Sequence, residues 1–217
     1  MALNANALTT VETLKNELSI TDSSEDLRLE RLINTASQQI ENYLGRQLYY
    51  DAAIEEKRPG YTSMLLRVDV TPIVSITEIT YNDSVLDSDN YEIHDADAGL
   101  IYNTATWITT APYTQEITQE RVWGEERKLY QVTYAGGWVT PEQGGTVTLP
   151  SDIEDACVRL SASRYNQIGR DSSITQEKLG DWSATYGGQS SSELSTSGGI
   201  PPAIRSVLDT YRRAVIG

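Results

Sequence analysis

Near the start of the chain, apolar residues recur at spacings of three and four. Leu29, Leu32, Ile33, Ala36, Ile40, Tyr43 and Leu44 form such a series, the mark of a helix with one buried stripe. Arg28, Glu30, Arg31, Asn34, Gln38, Glu41 and Asn42 fall on the opposite face. Asp22 or Ser23 is placed to cap this helix, and Gly45 to end it in left-handed geometry. A shorter helix is predicted over 11–18, opened by the capping-box pair Thr9 and Glu12.

The period then changes. Short runs rich in Val, Ile, Thr and Tyr at 64–70, 73–81, 91–94, 100–102, 121–123 and 129–134 read as strands. Pro72, Asn82-Asp83-Ser84, the Asp95 to Gly99 stretch and Gly136-Gly137 punctuate them. Strands in such close succession predict an antiparallel sheet or a small barrel-like sandwich. After Pro150 the helical period returns, with Ser151 and Glu154 at capping-box spacing, Ile153, Ala156, Cys157, Leu160 and Ile168 on the buried side, and Gly169 as the stop. A last helix is predicted over 201–216, opened by Pro201-Pro202 and carrying the stripe Ile204, Val207, Leu208 and Tyr211. Arg212 and Arg213 fall in its final turn, where cations suit the helix dipole. Residues 187–199 contain nine Gly or Ser in thirteen positions, which is linker composition. Just before them, Leu179-Gly180-Asp181-Trp182-Ser183-Ala184-Thr185-Tyr186 reads as an extended arm bearing two large aromatics.

The expected fold class is therefore α+β. The N- and C-terminal helices, 1–56 and 150–217, form a small helical bundle that carries the arm at 170–199. An antiparallel β domain is inserted at 57–149. The ends must meet because neither helical piece alone is large enough to hide its stripe.

Charge narrows the function classes. The chain of 217 residues holds 31 acids and 17 bases, net −14. The first two-thirds carry most of it: residues 1–56 are at −6, 57–149 at −7 and 150–217 at −1. A module that wraps phosphates needs a basic footprint, and an anionic membrane surface also attracts bases, so neither nucleic-acid wrapping nor membrane binding is expected. No secretory segment or apolar span is evident. One Cys excludes an internal disulfide, and one His excludes a histidine-rich metal centre. Phe is absent, while 13 Tyr and 4 Trp supply amphipathic aromatic surface suited to interfaces.

Candidate chemistry is thin. Asp95-Ala96-Asp97-Ala98-Gly99 has the alternation of a calcium loop, but position twelve is Thr106 rather than a bidentate Glu, so a polar hairpin turn is the stronger reading. Cys157 lies on a buried helix face. Glu55-Glu56 and Glu125-Glu126 read as solvated loop carboxylates. Gly136-Gly137 and Gly144-Gly145 are not followed by a Lys and do not form a phosphate loop. No catalytic residue, cofactor or metal site is expected, and so no enzyme. Two rival readings are a carbohydrate-binding β domain using Trp107, Trp123 or Trp138, and a calcium-supported adhesin centred on Asp95 and Asp97. Neither accounts for the arm. Its residues Leu179, Asp181, Trp182 and Tyr186 are the candidate partner-binding set, because an extended segment with alternating large side chains adds readily to a partner's sheet edge. Tyr211, Arg212 and Arg213 are the candidate ring or partner interface.

Several blocks in order carry a resemblance. They are Leu8 to Lys15, Ile40-Glu41-Asn42-Tyr43-Leu44-Gly45-Arg46, Thr71 to Tyr81, Ser88-Asp89-Asn90-Tyr91, Gly99-Leu100-Ile101 and Val132 to Gly137. Leu149 to Ala156 follows, with Tyr165 and Arg170 downstream, and then Leu179-Gly180-Asp181-Trp182-Ser183. In this series the chain resembles the head–tail connector, or adaptor, proteins of long-tailed bacteriophages. The β insertion is larger than in the smallest members, and the last helix follows the arm. The resemblance implies a structural virion protein, assembled in the bacterial host cytoplasm as a homo-oligomeric ring, usually of twelve, at the head–tail interface. Its implied partners are the portal protein on one side and a head-completion or tail-terminator protein on the other. The arm and terminal segments would engage the portal or a neighbouring subunit. Genome DNA would pass through the ring without specific binding, and an acidic lumen would repel it rather than grip it.

Overall fold

The computed structural model describes residues 2–59, 63–81, 84–107, 129–167, 176–179, 182–185 and 199–212. The fold is mixed α+β. The chain divides into two compact units, Met1–Tyr49 with Val139–Gly217, and Tyr50–Trp138.

The first unit is helical. α1 (Val11–Leu18) is capped by Thr10, whose hydroxyl accepts from the Thr13 amide at 3.1 Å. The cap thus sits one residue later than the Thr9–Glu12 spacing predicts. Thr9 is buried, and its hydroxyl donates instead to Glu154 Oε1 at 3.2 Å. α2 (Asp26–Leu44) ends at Gly45, in the left-handed conformation at φ +68°. Its start is later than expected, because the Asp22 carboxylate accepts from the Ser24 amide at 2.8 Å and closes its own turn. Leu29, Ile33, Ala36, Ile40 and Leu44 are buried, as the stripe requires, and Ser37 and Glu41 are buried with them. Leu32 and Tyr43 are only partly covered.

α3 (Ser151–Gln167) returns from the far end of the sequence to cover α2. Ala7, Leu14, Leu29, Ile33, Val158 and Ala162 form one apolar cluster, with Leu3, Val11, Leu18, Ile20 and Tyr165 at its margin. Each Leu or Ile fully buried in this way contributes about 1.5–3 kcal/mol. Ser151 occupies the first helical turn itself, and the Pro150 carbonyl accepts from the Ile153 and Glu154 amides at 3.0 and 3.3 Å. Ile168 of the expected buried side and the expected stop at Gly169 lie outside the described residues. α4 (Pro202–Leu208) is shorter than predicted. The chain tightens into a single 3-10 turn, Asp209–Tyr211, and is extended at Arg212. Ile204 and Leu208 are buried, but Val207 is exposed rather than part of the stripe.

The second unit is β. β1 (Asp51–Pro59), β2 (Ser63–Arg67), β3 (Ile73–Tyr81), β4 (Ser84–Val85), β5 (Tyr91–Asp95), β6 (Leu100–Trp107) and β7 (Leu129–Gly136) form two antiparallel sheets, ordered β1–β7–β3–β4 and β2–β6–β5. Both sheets contribute to one core: Ile54, Leu66, Val68, Ile79, Ile101, Trp107, Tyr130, Val132 and Tyr134. Tyr81 stacks on Tyr130 at 4.6 Å, and Trp107 meets Tyr130 edge-on at 5.0 Å. The strand expected at 121–123 lies outside the described residues. β1 displaces the expected boundary at 56/57, since it pairs along β7 and places Glu55 and Glu56 in a strand rather than a loop. The other boundary falls at Trp138 rather than at 149, because the Thr148 and Leu149 amides donate back to the Val139 carbonyl at 3.1 and 3.2 Å.

The Asp95 to Gly99 stretch is the hairpin turn between β5 and β6. Asp95 Oδ1 accepts from the Ala98 amide at 2.9 Å. Gly99 sits at φ +70°, and a Cβ there would lie 2.6 Å from Thr71 Cγ2 and 2.8 Å from the Val68 carbonyl oxygen. Gly99→Ala therefore combines left-handed strain with a backbone clash, and is expected to lower the unfolding free energy by about 2–4 kcal/mol in urea titration.

Candidate functional site

Glu56 is a densely bonded side chain of the β unit. It stands on β1 opposite Val132 of β7. Tyr134 donates to its Oε1 at 2.5 Å, and the Val70 amide approaches the same oxygen at 3.2 Å. Its Oε2 accepts from the Asp69 amide at 2.9 Å and from Arg58 Nε and Nη2 at 2.9 and 2.6 Å. Arg58 pairs with Asp69 as well. The Tyr134 hydroxyl also accepts from the Val70 amide at 3.0 Å. Both carboxylate oxygens are fully engaged, so this cluster braces strands and offers no free base. Residue pairing and spacing carry no signal for it, since Glu56 stands beside Glu55 among 31 acids.

Cys157 and Trp107 are inert by position. Cys157 is 0% exposed, 3.5 Å from the Ser37 hydroxyl, and burial pushes its thiol up to about 11. Trp107 is 0% exposed and its indole donates to the Met64 carbonyl at 3.0 Å, so it is a core residue and not a sugar platform. Trp138 is half-buried, and Trp123 lies outside the described residues. Among the described residues no group of three or more His, Cys, Asp or Glu is arranged to hold a metal ion, Asp95 and Asp97 included. No described helix is long and apolar enough to cross a membrane. An open groove in the helical unit is lined chiefly by polar side chains, among them Asn4, Asn6, Gln38, Asn42 and Gln47.

The described part of the arm is a hairpin. β8 (Gln176–Leu179) and β9 (Trp182–Thr185) pair as an antiparallel hairpin, with Leu179 opposite Trp182 and Gln176 opposite Thr185. Among the described residues this hairpin joins no third strand. The expected extended segment is thus two-stranded. Asp181 and Tyr186 of the candidate set lie outside the described residues.

The C-terminal candidates fall at the end of the helical unit. The Tyr211 hydroxyl donates to both carboxylate oxygens of Asp152 at 2.7 Å. Tyr43 donates to Asp209 Oδ1 at 2.5 Å, and the Arg212 guanidinium lies 5.5 Å from the centre of the Tyr43 ring. These bonds tie the 3-10 turn to α2 and α3. Burial, and then the neighbouring carboxylate, raises both phenols above their ordinary range. Arg212 follows the 3-10 turn rather than ending a helix, and Arg213 lies outside the described residues.

The described residues thus comprise two helical ends of the chain, an inserted antiparallel β unit and a short two-stranded hairpin. The chain belongs to the head completion protein family, whose model matches residues 7–214. It is a structural head–tail connector. No curated protein matches the sequence significantly. Three solved structures share the fold. One is a chain in the neck of an empty gene transfer agent particle computed with C6 symmetry, at 13% identity and TM-score 0.58. Another lies in the neck of a native particle computed with C12 symmetry, at 12% and 0.56. The third belongs to the virion of a native gene transfer agent particle, at 13% and 0.57. Each alignment covers 100% of this chain and 96% of the other.

The Glu56 brace has a measurable signature. Burial, with the bond to Glu56, pushes the Tyr134 phenol well above its ordinary value of 10. Its contribution to stability is therefore present in full below pH 10, and is lost as pH climbs from there toward the folded-state value. Tyr134→Phe should cost about 1–3 kcal/mol at neutral pH by leaving Glu56 and Val70 short of a partner. It should also flatten the decline of unfolding free energy above pH 10, and an unchanged alkaline slope would contradict the assignment.

Proposed function

We propose that this chain assembles as a closed ring at the head vertex of a virion, joins the portal side to the tail side, and forms part of the passage for the genome. The observation that carries the reading is the family match over residues 7–214. Full-length likeness to chains in particle necks of C6 and C12 symmetry supports a ring, with twelve copies as the proposed number. A closed ring needs a heterologous interface, in which one surface of each copy meets a different surface of the next. The net charge of −14 suits a channel that repels DNA and lets it slide. The protein performs no catalysis in this role. The virion neck is its proposed location, after assembly in the host cytoplasm.

The arm is the proposed contact with the portal or an adjacent copy, through Leu179, Asp181, Trp182 and Tyr186. An isolated two-stranded hairpin is marginally stable in water, so β8–β9 gains most by docking. Tyr211, Arg212 and Arg213 are the proposed second contact, at the end of the helical unit. A head-completion or tail-terminator protein is the proposed tail-side neighbour.

Heads and tails that accumulate separately when this chain is missing should join when it is supplied. The double variant Trp182→Ala, Tyr186→Ala should leave the circular dichroism and melting of the isolated chain unchanged and abolish joining. Normal joining by that variant would remove the arm from the interface. Failure of the unaltered protein to restore joining would overturn the connector role itself.

A further inference from the structure

The β unit presents sheet edges that differ in how they are protected. β4 is only two residues long. β2 carries a register shift between Ser63 and Leu65 and ends in the charged Arg67. β1 carries a register shift between Asp51 and Ile54, an exposed Lys57 and a terminal Pro59, all devices that blunt an edge. β5 has neither lysine nor proline, and its one register shift lies at its turn end, between Ile93 and Asp95. Glu92, Ile93, His94 and Asp95 are all exposed, and β5 pairs with β6 on one side and with no described strand on the other.

The same chain carries a short hairpin that no described strand covers. β8 and β9 are four residues each, against five in β5, so a four-residue ladder fits. Eight residues separate α3 from β8, a tether that reaches at most about 28 Å when extended. Charge favours contact between different parts of two copies. Residues 57–149 are at −7, so β unit against β unit brings like charges together, whereas 150–217 is at −1.

We infer that the free edge of β5 is the docking site for the β8–β9 hairpin of a second copy of this chain, which adds to the β2–β6–β5 sheet by strand addition. Hairpin and edge are different surfaces of one molecule, so each copy offers both and the contact can repeat around a ring. This inference rests on the ring proposed above and names the surface that closes it.

Engineered thiols test it. Cys157 is buried with its thiol pushed up to about 11, so it does not compete in mild oxidation at neutral pH. The double variant His94→Cys, Ser183→Cys is assembled, imaged and oxidised, beside each single variant. On a denaturing gel the double variant should lose its monomer band to a ladder of covalent multimers, while His94→Cys alone stays monomeric. Imaged rings that yield no ladder would overturn the docking site and leave the ring reading intact. A bridge confined within single chains would place the hairpin on its own sheet and also overturn it. Absence of rings from the unaltered protein, alone and with portal, would overturn the ring reading and this inference together.

Discussion

The structure depends on the return of α3 to α2 across more than a hundred intervening residues. α2 alone has an apolar stripe and nothing to bury it against. Closing so long a loop costs entropy, although the cost grows only slowly with length. Burial of Leu29, Ile33, Val158 and Ala162 in one cluster offsets it. Polar pairs set the register of the two helices, Ser37 against Cys157 and Gln39 with Arg164, and Thr9 ahead of α1 bonds to Glu154 of α3. Once this closure is made, the two ends of the β unit are brought together as well. The Tyr50 amide donates to the Trp138 carbonyl at 2.8 Å where that unit begins and ends.

The inserted unit is held by its own logic. Two sheets share a core of branched aliphatics and three large aromatics, and one carboxylate, Glu56, stitches β1, β7 and the turn at 68–70 into a single brace. A carboxylate with all its acceptor positions filled is poor at catalysis and good at fixing strands. The same is true of Asp95, spent on its turn, and of Cys157, buried beside Ser37. Glu56, Asp95 and Cys157 are thus spent on structure.

How much of this was legible in the sequence follows from the physics of each element. α1 and the stripe of α2 were readable because a 3.6-residue period with a Gly stop is a strong local signal. β1 was not, because its inward side alternates Ile54 with Glu56, and a buried carboxylate looks like a loop residue until Tyr134 and Arg58 are known to meet it. The last helix was overestimated because Asp209 and Tyr211 bond to Tyr43 and Asp152, and these distant partners stop the helix early. The arm was found from composition, as two aromatics beside a Gly/Ser tract. Its pairing into a hairpin depends on Gln176 to Leu179, which carry no strong strand pattern.

The most direct measurement of the central claim is imaging of the purified chain by electron microscopy, alone and mixed with portal, together with its native mass. The account predicts closed rings of twelve copies that stack coaxially on portal. A chain that stays monomeric at every concentration and with portal present, or that forms open filaments, would contradict it.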